Sequence, residues 1–157
     1  MAKNYFRNTL LVKRLRNLLN LNTWNAFRFS LDNANAKHLI IEMNTQDQLY
    51  AKGIDSKGVS LKAIGGDYAY VTKDIKSYFN QPIDRITLKD TGEFYESFNV
   101  KVTSSEVIIE ADTMKDEDLR VRWGNDILGL TDENLQRLID FAKDRYILYV
   151  KELLYKS

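Results

Sequence analysis

The chain has 157 residues, enough for one domain, and its 44% hydrophobic and 29% charged residues are usual for a globular protein. Its formal net charge is +1, so no overall charge draws it to nucleic acid or to a membrane surface. The chain contains no cysteine, which excludes disulfides, thiolate metal sites and thiol catalysis.

The charges are unevenly distributed along the chain. Residues 1–31 contain six basic residues and no acidic residue, whereas acidic residues outnumber basic ones in the remainder. This asymmetry indicates either a basic helix that meets an acidic partner or a solvated helix face. The start of the chain shows no secretory pattern, and no apolar run approaches the roughly 18 residues of a membrane span. We therefore expect synthesis in the cytoplasm and no membrane partner.

The first 45 residues are predicted to be helical. Leucines at helical spacing predict a helix over residues 4–19. The segment Asn20-Leu21-Asn22-Thr23 is expected to end it and to cap a second helix over residues 24–31, because Asn and Thr favour caps over helix interiors. A third helical pattern covers residues 34–49.

The helical pattern then gives way to glycines. Four of the seven glycines lie within residues 53–66, which predicts either a loop or a loop with one short strand at residues 59–64. Their spacing is not that of a phosphate-binding loop. A short helix is predicted over residues 71–79, ending before Pro82, the only proline.

The stretch LKDTGEFYESFNVKVTSSEVIIEAD predicts a short helix and a β-hairpin. Asp90 or Thr91 can cap a helix over residues 94–98. Residues 99–103 and 106–111 then read as two strands around a Ser-Ser turn. Acidic residues 116–118 are expected to begin another short helix that runs toward Trp123.

The last predicted element is the longest. Thr131 is placed to cap it, Leu130 and Leu135 to form a hydrophobic staple, and one apolar stripe follows over six turns. A second apolar set, which includes Phe141 and Leu148, lies off that stripe and calls for a second partner, either another element of the chain or a second subunit. We thus predict one α+β domain over residues 1–157, with a helical N-terminal part, a central β-hairpin or small antiparallel sheet, and a long C-terminal helix packed on it.

Few residues offer catalytic chemistry. His38 is the only histidine and has no metal-binding spacing around it. The tripeptide Asp90-Thr91-Gly92 occurs in aspartic proteases, but those enzymes need two such carboxylates. Acidic residues 112 and 116–118 leave a Ca²⁺ or Mg²⁺ site as an alternative, although the ligand pattern of an EF-hand is missing. We predict that the protein is not an enzyme and has no metal, no cofactor and no small-molecule substrate.

Two stretches resemble a family of tailed-phage proteins, the virion-morphogenesis, tail-completion and head–tail connector proteins. They are ITLKDTGEFYESFNVKVTSSEVIIEAD and WGNDILGLTDENLQRLIDFAKDRY. The family shows Leu-x-x-Thr-Gly-x-Leu/Phe-x-x-Ser, then a strand pair and a terminal helix. The matching positions here are Leu88, Thr91, Gly92, Phe94 and Ser97. The wording is most similar to versions in phages and prophages of gut Bacteroidetes, and the resemblance covers residues 46–146, with residues 1–45 as a separate basic segment.

The resemblance implies a structural subunit without catalytic residues that forms a ring at the phage neck or tail end. It implies localisation in the virion after assembly in the bacterial host cytoplasm, with DNA passing through a central channel. The implied partners are copies of the chain, the portal and adjacent neck or tail proteins.

We assign candidate contacts on this basis. The candidate subunit-interface residues are Phe94, Phe98, Phe141, Leu148 and Leu154. The candidate DNA or portal contacts are Lys13, Arg14 and Arg16. An alternative function is a nucleic-acid-binding accessory protein that uses the basic first helix.

Overall fold

The computed structural model describes residues 10–115 and 117–155. Within them the protein is α+β, with one two-stranded antiparallel sheet among helices, as the sequence predicts. The helices are α1 (Leu10–Leu19), α2 (Thr23–Leu31), α3 (Ala34–Glu42), α4 (Leu61–Gly65), α5 (Tyr70–Tyr78), α6 (Glu93–Glu96), α7 (Leu119–Trp123) and α8 (Asp132–Tyr155), and the strands are β1 (Asn99–Val102) and β2 (Val107–Glu110). A π-helical segment, Met43–Lys52, continues from α3, and a 3₁₀ turn, Asn125–Ile127, precedes α8.

Asparagine caps begin α2 and α3, of which the first, Asn22, lies in the predicted capping segment. The side chains of Asn22 and Asn33 each accept a hydrogen bond from the backbone N–H three residues further on, at 3.1 and 3.0 Å. Each side chain thereby satisfies one of the N–H groups that a helix start leaves without a partner. Of the helix predicted over residues 4–19, residues 10–19 are helical, and residues 4–9 lie outside the described part of the chain.

The third predicted helix, residues 34–49, is present but changes its winding. α3 gives way to the π-helical segment, which ends at Gly53 in the left-handed conformation, with φ at +63°. Because π-helical bonding is looser than α-helical bonding, it changes the direction in which successive side chains point. The segment places two amide side chains, Asn44 and Gln48, in the interior.

The prediction of a strand at residues 59–64 is wrong, because the single-turn helix α4 begins within these residues, at Leu61. Leu61 is fully buried and anchors this turn in the core. Strand-like pairing in this segment is an isolated bridge between Ile54 and Ser60.

The short elements on either side of the hairpin agree with the predictions. α5 begins one residue before the predicted helix and ends before Pro82. α7 follows Asp118, whose side chain accepts a hydrogen bond from the Arg120 N–H at 3.0 Å. Asp116, part of the predicted start, lies outside the described residues.

The predicted hairpin is confirmed. Val100 lies opposite Ile109 in an antiparallel register, and the Thr103 hydroxyl closes the turn by accepting a hydrogen bond from the Glu106 N–H at 3.1 Å. α6 leads into this hairpin, but its N-cap is Gly92, with φ at +107°, instead of Asp90 or Thr91. Glycine suits this position because it lacks the Cβ that disfavours positive φ.

Two clusters of buried apolar side chains meet at the hairpin. One contains Phe94 and Trp123, the other contains Ile40 and Leu138, and the side chain of Ile109 packs against both. β2 therefore connects the core beneath α6 and α7 to the core beneath α3 and α8.

The long C-terminal helix, α8, closes the second cluster. The Thr131 hydroxyl accepts a hydrogen bond from the Asn134 N–H at 3.3 Å, which confirms the predicted cap. Leu138 and Ala142 are buried, and the helix packs against α1, α2 and α3. α8 thus finds one of its two apolar partners inside the chain.

Candidate functional site

Three buried amide side chains join the π-helical segment to the start of α8. Asn44 donates to the Ile127 carbonyl at 3.0 Å and accepts from the Gly129 N–H at 2.9 Å. Gln48 donates to the Gly129 carbonyl at 2.9 Å and accepts from the Thr131 N–H at 2.8 Å. These two side chains thereby supply backbone partners for the loop that leads into α8.

Asn134, the third amide, completes the network from the other side. Its Nδ2 donates to Gln48 Oε1 at 2.9 Å, and its Oδ1 accepts from an Arg137 guanidinium nitrogen at 2.8 Å. The same guanidinium nitrogen lies 2.6 Å from Asp47 Oδ2. π-helical segments often occur at functional sites, but here the amides bond one another and the backbone. The network therefore fixes structure, and nothing in it acts as an acid, a base or a nucleophile.

An apolar groove lies between α2, β2 and the start of α8. Its volume is about 270 Å³, and no residue that lines it is charged. It therefore accommodates apolar groups but supplies no titratable side chain. The lining residues are Phe27, Leu31, Ile40, Val107, Ile109, Leu128, Gly129, Leu130, Leu135 and Leu138.

Two of the five predicted interface residues are core residues instead. Phe94 and Phe98 are only 2% and 7% exposed, and their ring centres lie 5.1 Å apart in an edge-on arrangement. They pack with Tyr95 in the cluster that contains Trp123. Because these rings are already covered by their own chain, they offer no surface to a second subunit, which corrects the interface prediction. In the structure they anchor α6 in the core.

The other three predicted interface residues lie on α8. Phe141 and Leu148 are 42% and 51% exposed, and Leu154 is half-buried. The first two are seven residues apart and so lie on the same side of the helix. A second apolar face of α8 is therefore accessible, and its assignment to a subunit interface stays a prediction.

The three predicted basic contacts separate into two kinds. The Arg14 guanidinium lies over the Tyr155 ring, 4.5 Å from its centre, so this side chain is committed to contact with α8. Lys13 and Arg16 are exposed. Only these two of the three are presented to a partner.

α5 has the opposite orientation from a usual surface helix. Its lysines point inward. Lys76 is buried, and its ammonium group donates to Gln81 Oε1 at 2.8 Å and to the Lys89 carbonyl at 2.5 Å. The same group lies 4.9 Å from the centre of the Tyr68 ring. Its apolar residues point outward, with Tyr70, Val71, Ile75 and Tyr78 between 51% and 82% exposed, and the adjoining Phe79 64% exposed.

A second lysine holds α5 in this orientation. Lys73 and Lys62 both place their ammonium groups 2.7 Å from the Asp67 carboxylate. These two contacts hold the pKa of the Asp67 carboxyl well below its usual range. The sequence analysis located this helix but not its outward apolar face. The apolar stripe was visible in the sequence, but a stripe ordinarily indicates a buried face.

The other chemical candidates have structural or solvent-facing positions. His38 is exposed. Asp118 caps α7 and pairs with the Arg120 guanidinium at 2.7 Å, and Asp112 accepts from the Met114 N–H at 3.0 Å. In residues 10–115 and 117–155, no three or more metal-binding side chains gather into a group that could hold an ion.

The fold and its surface define a small α+β protein with a rigid amide-linked interior and uncovered apolar helix faces. Among the described residues, no helix combines the length and apolar character needed to cross a membrane. No protein-family model matches the chain, and neither a curated protein nor a solved structure matches it. The resemblance to phage connector proteins therefore rests on the sequence motifs alone.

Proposed function

We propose that this protein is a structural subunit of a tailed-phage virion that forms a ring at the head–tail junction or tail end. The observation that carries the proposal is the outward apolar face of α5, together with the exposed leucines of α1, which are 41–85% exposed. The largest exposed apolar patch on a protein is often functional, and patches of this kind mark interaction surfaces. The connector-like motifs indicate which kind of assembly would cover them.

In this function the protein acts by fitting against its neighbours, without making or breaking a bond. The ring would contact the portal and the adjacent neck or tail proteins, and packaged DNA would pass through its channel. The amide network supports this role because it holds the loop before α8 in one conformation. A subunit that repeats around a ring must present the same geometry in every copy.

The proposal predicts that the purified protein forms a closed oligomer. Mass photometry and analytical ultracentrifugation should give one mass that is a whole multiple of 18.3 kDa. Negative-stain electron microscopy should show rings with a central opening. A protein that stays monomeric over the whole accessible concentration range, and that is missing from purified virions, would contradict the proposed function.

A second candidate function is sequence-independent binding of nucleic acid. The observation that favours it is the exposure of Lys13 and Arg16 on a helix whose described residues include no acid. Each phosphate that a basic side chain neutralises contributes about 0.9 to the slope of log affinity against log salt concentration.

The nucleic-acid function makes a quantitative prediction for the variant Lys13→Gln/Arg16→Gln. Its salt slope for duplex DNA should be lower than that of the wild type by about 1.8, because two phosphate contacts are lost. Fluorescence anisotropy at several salt concentrations measures both slopes. Lys143→Gln, which replaces an exposed lysine on α8, is the control and should leave the salt slope at the wild-type value. Equal slopes for the wild type and the double variant would remove this candidate function.

A further inference from the structure

The outward face of α5 is large enough to be one side of a protein interface. Its three aromatic residues, Tyr70, Tyr78 and Phe79, are 79%, 82% and 64% exposed. At roughly 200 Å² per aromatic side chain they present about 450 Å² of mostly apolar surface. A standard interface covers roughly 800 Å² on each partner. Val71 and Ile75, which are 69% and 51% exposed, extend the face toward that size.

This face cannot be covered by turning α5 over. Rotation would pull Lys73 from its Asp67 partner and would remove the buried Lys76 from its three polar and aromatic contacts. The lysine contacts on the inner side therefore keep the aromatic side in solvent. Among residues 10–115 and 117–155, no element covers this side of α5.

Two exposed carboxylates lie on or beside the α5 face. Asp74 is the outward charged residue of the helix, since both lysines of α5 point inward. Asp90, with a side chain 77% exposed, lines a surface pocket together with Ile75 and Phe79, and its carboxylate makes a long ion pair, at 3.9 Å, with the Lys115 ammonium. A partner that fits this face would combine apolar side chains with positive charge.

α1 of the same chain has these two properties. Leu11, Leu15 and Leu18 recur at helical spacing on one side and are 62%, 48% and 41% exposed. Lys13 and Arg16 are exposed on other sides of the same helix, since helix positions one or two residues apart do not share a face. The described residues of α1 include no acid, so its charge is opposite in sign to that around α5.

The inward contacts of α1 are polar, as they are in α5. Asn17 donates to the Leu153 carbonyl at 3.0 Å, and Arg14 stacks on Tyr155. These contacts hold α1 on the C-terminal part of α8 with its leucines outward. Within the chain, α1 therefore packs against α8, whereas α5 is held by Asp67 and the segment from Gln81 to Lys89.

We propose that the occupant of the α5 face is a second copy of this chain, which packs the leucine side of its α1 against that face. This inference rests on the proposed function and names the contact between ring subunits. Because the two faces differ, the contact is heterologous, and each copy keeps one free face for the next copy. Repetition of such a contact closes into a ring when the rotation between subunits allows it.

Site-directed cross-linking tests which faces meet, and the absence of cysteine makes each introduced thiol unique. Leu15→Cys protein is mixed with Ile75→Cys protein and treated with a short bifunctional maleimide. The mixture should give a cross-linked dimer on a denaturing gel, whereas each variant alone should give none. Leu15→Cys mixed with Val121→Cys is the matched control, since Val121 is 80% exposed on α7, and should give no dimer.

The same gel contains the results that would overturn the inference. A dimer from Ile75→Cys alone would show that α5 meets α5 in a symmetric contact. A dimer from Leu15→Cys alone would show the same for α1. No cross-link in the mixture, from protein that assembles as the wild type does, would show that other faces form the interface.

A charge placed on the α5 face tests the contact in solution. Tyr78→Glu should reduce the assembled fraction in mass photometry at least tenfold, with an unchanged thermal midpoint of the isolated subunit, because Tyr78 is 82% exposed. Val121→Glu should assemble as the wild type does. Assembly of Tyr78→Glu at the wild-type level would overturn the α1–α5 contact and leave the ring function standing, whereas a monomeric wild type would overturn both.

Discussion

Replacing Gln48 with alanine is expected to lower the free energy of unfolding by about 2–4 kcal/mol, because a polar group that is left buried without a partner costs roughly 1–3 kcal/mol. The substitution removes the partners of the Gly129 carbonyl and the Thr131 N–H. It also removes the 2.9 Å contact of the Asn134 amide, which is 2% exposed. The Asn134 amide keeps a long hydrogen bond to the Met43 carbonyl, at 3.4 Å, so the expected loss stays below the full sum of three unpaired groups.

Gln46→Ala is the matched control for this prediction. Gln46 belongs to the same π-helical segment but is exposed, and its side chain makes one weak contact, at 3.5 Å, to Thr45. It should change the free energy of unfolding by less than about 0.5 kcal/mol. Urea titration followed by circular dichroism, at a concentration where mass photometry shows monomers, measures both variants. Equal stability of the two variants would show that the amide network contributes nothing.

Replacing Phe94 with alanine is expected to cost about 3–5 kcal/mol, the usual loss for a buried phenylalanine. Its ring is 2% exposed and lies within 5.1 Å and 6.0 Å of the ring centres of Phe98 and Tyr95. Truncation leaves a cavity between α6 and the hairpin, and the surrounding rings lose their contacts. The same urea titration gives the value.

Phe79→Ala distinguishes a core phenylalanine from an exposed one. Phe79 is 64% exposed, so its removal should leave the stability of the monomer within about 0.5 kcal/mol of the wild type. The proposed α1–α5 contact predicts that this variant nevertheless assembles less well. If Phe94→Ala were as stable as Phe79→Ala, the assignment of Phe94 to the core rather than to an interface would be wrong.

Local signals in the sequence were sufficient for most of the element boundaries. The Asn22, Asn33 and Thr131 caps and the two alternating strands depend on hydrogen bonds within a few residues, which the sequence specifies directly. The strand predicted at residues 59–64 failed because the pattern of so short a segment does not distinguish a strand from a single helical turn. Only contact with the core distinguishes the two.

The candidate site could be predicted only in part. The basic residues of α1 were found from composition, but the commitment of Arg14 to Tyr155 is a contact across more than a hundred residues. Phe94 and Phe98 were assigned to an interface on the basis of the resemblance to ring-forming connector proteins. The sequence does not show that the chain itself already covers them.

By itself, the amino-acid sequence determined the α+β class, the capped helices, the hairpin and the long last helix, because each follows from short-range hydrogen bonding and apolar periodicity. Only the tertiary structure decided which apolar faces are buried. The stripes of α5 and α8 are alike in sequence, yet α8 buries Leu138 and Ala142, whereas α5 buries Lys76 and leaves its aromatic residues in solvent. That choice depends on distant partners, such as Asp67 and Gln81 for the lysines of α5, and the pattern of a helix cannot specify them.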